Sequence, residues 1–175
     1  ISAQDLMTQS HGELEAHVAA ARRRLDELNQ KLNIELPVYV LVTKCDMVRG
    51  FAEYFDDLTR EDRSQVWGVT FPYERTVAGE AAESFSAEFE TLIVRLNARV
   101  FARLEEEHDV RRRATMFAFP QQMGSLRDVL TGFVSDVFGS TRFDRKVLLR
   151  GVYLTSGTQE GTPIDRLMGA IGRQF

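Results

Sequence analysis

Two short apolar runs limit what this chain can become: Pro37-Val38-Tyr39-Val40-Leu41-Val42-Thr43 and the stretch from Val147 to Thr155. Each is rich in β-branched and aromatic side chains and apolar without alternation. That pattern is expected of strands buried on both faces of a parallel sheet. Pro37 opens the first run, where no ladder donor is needed. Parallel neighbours require a crossover of at least ~10–12 residues, and the chain between these runs is far longer and reads mainly helical. The expected fold is therefore α/β and helix-rich: a parallel sheet with a large helical insertion or subdomain. Residues 1–50 and 141–175 would supply the sheet-bearing part, the latter as last strand and closing helix, and 51–140 the insertion.

The helical expectation rests on spacing and end signals. Ser2-Ala3-Gln4-Asp5 has the form of a capping box, and Leu14, Val18, Leu25, Leu28 and Leu32 line one face of a helix from about Gly12 to Leu32. Phe51, Tyr54, Phe55 and Leu58 suggest a short amphipathic turn with a mostly core aromatic set that includes Trp67. Thr59-Arg60-Glu61-Asp62 offers a second capping box into a helix ending near Trp67-Gly68. Val69 to Ala82, with Pro72 and Gly79, reads as a loop. A long helix is expected from Ser84 to Glu107, followed by a charged, solvated helix surface through Arg113. Pro120 biases Phe119 to extended backbone and should end the Thr115–Phe119 segment. Ser125 to Phe138 carries a wide apolar stripe closed by Gly139, and Thr162-Pro163-Ile164-Asp165 has the form of a helix start.

Composition removes whole classes of function. The 175 residues carry a formal charge of −4 with pI near 5.5, so a strongly basic nucleic-acid-binding surface is excluded. No apolar run approaches ~18 residues, the length needed to span a bilayer. The lone cysteine, Cys45, cannot form an internal disulfide. His11, His17 and His108 have no ligand neighbours at metal spacing, and no nucleophile elbow is present, so no catalytic or metal residue is assigned. The chain opens Ile-Ser-Ala-Gln-Asp without an initiator methionine, the look of a segment of something longer.

The chemistry is carried by the two strand ends. Ligands of open α/β sheets sit beyond the carboxyl ends of parallel strands. The first run ends in Thr43-Lys44-Cys45-Asp46, which has the form of the base-reading tetrad of GTPases. Guanine presents two adjacent donors, N1–H and the exocyclic amine, and one ionised carboxylate accepts both. Asp46 would select the base, the Lys44 stem would cover the ring, and Thr43 would tie neighbouring loops together. The second run enters Thr155-Ser156-Gly157, where Ser156 and Gly157 keep the small residues of the partner loop without its lysine. No Gly-x-x-x-x-Gly-Lys-[Ser/Thr] phosphate loop occurs in the chain, so this segment is not expected to hydrolyse anything. An accidental tetrad on a helical partner-binding module is the competing reading.

Leu36-Pro37-Val38-Tyr39-Val40-Leu41-Val42-Thr43-Lys44-Cys45-Asp46, Gly50-Phe51, Gln65-Val66-Trp67-Gly68, Phe119-Pro120-Gln121-Gln122 and Leu149 through Asp165 together resemble the IcmF/TssM family of type VI secretion inner-membrane proteins. The resemblance implies the C-terminal half of a GTPase-like domain on the cytoplasmic face of the bacterial inner membrane. The membrane would be reached through segments outside this chain. Implied partners are other membrane-complex proteins, of the TssL and TssJ types, and the baseplate. Implied cofactors are none in this segment, and GTP or ATP with Mg²⁺ in an intact protein that carries an upstream phosphate loop. In that case the domain would hydrolyse nucleotide to energise assembly or secretion. Thr43, Lys44 and Asp46 match the family's base-side motif, and no phosphate or Mg²⁺ residue carries over.

Overall fold

A computed structural model describes residues 1–59, 61–62, 65–139 and 147–157. Ser2 starts α1 (Ala3–Thr8) through a complete capping box with Asp5, and Ser10 repeats the device with Glu13 at the head of α2 (His11–Leu32). Strand β1 (Pro37–Val42), a 3₁₀ turn (Cys45–Met47) and α3 (Phe51–Tyr54) follow. Gly50 caps α3 at φ 91°, where a Cβ would lie 2.7 Å from the Thr115 carbonyl oxygen, so glycine alone fits. Then come β2 (Gly68–Thr70), α4 (Tyr73–Ala78), α5 (Ala81–Glu106), α6 (Val110–Gly124), α7 (Arg127–Phe138) and β3 (Leu148–Leu154).

The sheet order is β1-β3-β2, with β1 and β3 parallel and β2 antiparallel to β3. The α/β, helix-rich expectation holds, but the all-parallel sheet is corrected to a mixed one. The residues expected to end a helix at Trp67-Gly68 and then to form a loop instead make β2 and α4. The Thr59–Asp62 capping bonds do form, with Asp62 N–H donating to Thr59 Oγ1 at 3.1 Å. They head no helix reaching Gly68. Three residues are too few to show a strand period, and Gly68 lets β2 approach where a Cβ would sit 2.3 Å from the Val152 carbonyl oxygen.

β3 meets the buried-strand expectation, since Leu148, Leu149, Val152 and Leu154 are all buried. β1 does not. Val40 and Val42 face the core, whereas Tyr39 and Leu41 are 51% and 49% exposed. Only the Val40/Val42 face packs on the core, and the opposite face, where the Tyr39 ring lies 6.0 Å from that of Tyr153, is half open.

The helices α3, α5, α6 and α7 build the rest of the core, which runs without interruption into the sheet. α5 packs on α6 and α7, and α3 on α6. Phe51, Tyr54, Phe55 and Phe119 pack tilted or edge-to-face at ring separations of 4.8–5.9 Å, with Trp67 at the cluster's edge. Tyr54 is fully buried and donates its hydroxyl to the Leu96 carbonyl at 2.7 Å. Pro120 does not end a helix, as its ring chemistry suggested; α6 continues to Gly124 through it. Burial of Phe119, Pro120 and Met123 offsets the missing N–H. The charged patch is also corrected: the helix breaks after Glu106, and Asp109 restarts it by accepting the Arg111 and Arg112 amides. The helix start at Thr162–Asp165 lies outside the described residues.

Candidate functional site

β1 and β3 pair in parallel from Pro37–Leu148 to Val42–Leu154, with a one-residue register shift between Val38 and Tyr39, and both strands leave the sheet at one end. The exits are tied by backbone: Thr155 N–H donates to Val42 O at 2.8 Å, and Cys45 N–H to Thr155 O at 3.1 Å. Cys45 is fully buried beneath this crossing, its thiol donating to Val42 O at 3.4 Å. Burial pushes the thiol up to about 12, so it is an inert anchor despite the adjacent lysine. Lys44 takes the left-handed conformation at φ 59°, which reverses the chain and turns Asp46 outward.

These ties bring the predicted site together. Ser156 Oγ donates to Asp46 Oδ1 at 3.2 Å across 110 residues of sequence. Asp46 is half-buried, Ser156 and Gly157 are exposed, and Asp46 Oδ2 has no partner among the described residues. Thr43 is bonded through its main chain: its N–H donates to Ile1 O at 2.9 Å, and its carbonyl accepts the Ala3 amide at 2.7 Å. Lys44 Nζ reaches Gln4 Oε1 at 3.4 Å, which lays its stem toward α1.

Gln4 and Asp5 carry no site signal in the sequence, yet α1 forms a wall of this end. The Ser2 hydroxyl holds the Asp5 carboxyl below its ordinary value, and the charges of His17 and Lys44 add to that. The capping box made α1 legible, but no local pattern says that a helix begun at Ser2 meets a tetrad forty residues away. Chemically, the end offers a half-exposed carboxylate with one oxygen open, a flanking cation and a hydroxyl. That set can accept a pair of adjacent donors on a planar ring. Among the described residues no cluster of acids, histidines and cysteine could hold a metal ion, and His11 pairs with Glu15 instead.

A family model, the IcmF-related N-terminal domain, matches residues 1–175. The chain belongs to the IcmF-related family. It is 46% identical over 179 residues to the type VI secretion system component TssM1 of Pseudomonas aeruginosa, a match covering all of this chain and 16% of the relative. No solved structure matches it. Among the described residues of this IcmF-related chain, no helix is long and apolar enough to cross a membrane.

Proposed function

We propose that this chain is a segment of a type VI secretion membrane-complex component and serves assembly through a GTPase-like domain, whose base-reading end is the β1/β3 exit. Identity of 46% to TssM1 over the whole chain supports the secretion role. The pocket rests on one observation, the convergence of Asp46 and Ser156 at 3.2 Å on the carboxyl end of parallel strands. Asp46 would accept the two guanine donors, with Ser156 releasing Oδ1 or sharing it. The Lys44 stem would lie over the ring, and Gly157 would leave room for the base edge. Phosphate and Mg²⁺ contacts would come from chain outside this segment, as would the membrane anchor that holds it on the cytoplasmic face, near the baseplate.

The test is binding of a fluorescent GDP by the intact protein. Asp46→Asn should weaken it at least tenfold, about 1.4 kcal/mol, with less effect on a xanthine nucleotide. Affinity unchanged within twofold would remove the pocket and leave the assembly role. That role is tested separately, by whether type VI secretion is lost when residues 1–175 are deleted from the intact protein and restored when they return.

A further inference from the structure

The first three residues do more than start a helix. Thr43 donates its N–H to Ile1 O and accepts from Ala3 N–H, while the amino group of Ile1 lies 3.3 Å from Leu41 O. This is the bonding pattern of a parallel ladder, one residue of one strand bracketed by two of the next, and Ser2 and Thr43 form its parallel bridge. Parity along β1 is unambiguous. Val42 O turns to β3, so the groups of residues 39, 41 and 43 turn the other way. Among the described residues, the Ile1 amino group and Thr43 satisfy that edge only from Leu41 O onward. Tyr39 N–H, Tyr39 O and Leu41 N–H have no partner there.

The edge Tyr39-Val40-Leu41-Val42 carries neither the lysine nor the internal proline that usually protects one, and the register shift in the β1–β3 pairing falls ahead of Leu41, between Val38 and Tyr39. The chain is also a small part, 16%, of its TssM1 relative, so such proteins have ample chain to cover it. We propose that, in the longer protein that carries this chain, the residues directly ahead of Ile1 form a fourth strand parallel to β1. The inference stands whether or not a nucleotide binds. Strict alternation sets its register. The second residue ahead of Ile1 donates its N–H to Tyr39 O and accepts from Leu41 N–H, while the residue immediately ahead points both groups away. β1 becomes an interior strand, and the new strand delivers its carboxyl end through Ser2 to the same end as Asp46.

The test is amide hydrogen exchange, read by mass spectrometry over Tyr39–Leu41 in the intact protein. The expected result is exchange at least a hundredfold slower than in the unfolded chain, independent of concentration. Proline placed at the second residue ahead of Ile1 should abolish that protection; proline at the residue immediately ahead should retain it. Unprotected exchange, or protection that the two prolines affect alike, overturns the proposal. So does protection that rises with concentration, which would assign the edge to a second copy, or protection that appears only with a partner protein bound.

Discussion

The two ends of the molecule are held in different ways. At the β1/β3 exit, polar loops are positioned by main-chain bonds over one small buried thiol, and the side chains that would meet a ligand do little holding. On the helical side, side chains do the holding. Arg103, only 5% exposed, donates Nε to Tyr54 O at 3.2 Å, and its other nitrogens to Asp56 at 2.5 Å and Glu106 at 2.7 Å. Arg112 pairs with Asp56 and with Glu107, and Arg99 pairs with Asp57 while lying 5.4 Å above the Tyr54 ring. The lesson is that a site can be made almost free of stabilising duty when its backbone is anchored from beneath, so its residues can change with little effect on folding.

That contrast can be broken by mutation. Tyr54→Ala should cost the most, about 4 kcal/mol in urea unfolding, because a fully buried ring and a buried hydroxyl bond are lost together. Arg103→Ala should cost about 3 kcal/mol, since it empties the place of a buried side chain and takes the guanidinium donors from the Tyr54 and Glu53 carbonyls beside the core. Arg103→Lys should recover only part, because one ammonium cannot reproduce the guanidinium fork. At the other end, Ser156→Ala should change stability by under about 0.5 kcal/mol. A loss approaching that of Arg103→Ala would end the distinction between the two regions.

The smallest effect is an acid one. Glu107 accepts the Asp109 amide and the Arg112 guanidinium, which hold its carboxyl at about 2 against an ordinary 4.5. A depressed folded value stabilises fully above about pH 4.5, and that contribution is lost as pH falls towards 2. Urea midpoints measured between pH 5 and 2.5 should therefore fall less steeply in Glu107→Gln than in the parent. Parallel curves would show that the pair is satisfied equally well in the unfolded chain.

What could be read from sequence was what local chemistry decides. The capping box of Ser2 and Asp5 spans four residues, the apolar run at Val38–Val42 is contiguous, and the tetrad at Thr43–Asp46 sits where a strand must stop. Even the meeting of Asp46 with Ser156 followed, because parallel neighbours share an exit. What escaped reading depends on neighbours. Tyr39 and Leu41 have the residue types of a buried strand but stand half exposed, and nothing in their own sequence says that their face of the sheet is left open. Pro120 carries a stop signal that burial of Phe119 and Met123 overrides. β2 is too short for a period, and its close pairing with β3 rests on Gly68 lying against Val152. The role of Arg103 is invisible in its own stretch of helix, because Asp56 and the Tyr54 carbonyl arrive from the end of α3 and just beyond it, nearly fifty residues earlier.

Lys44 carries one last consequence. A residue bearing a β-carbon loses on the order of 1 kcal/mol in the backbone state that Lys44 adopts, and glycine loses nothing. Selection on folding alone would strip this corner to a bare methylene. Lys44→Gly should therefore relax the corner and release Gln4, leaving the loop around Asp46 to the main-chain ties alone.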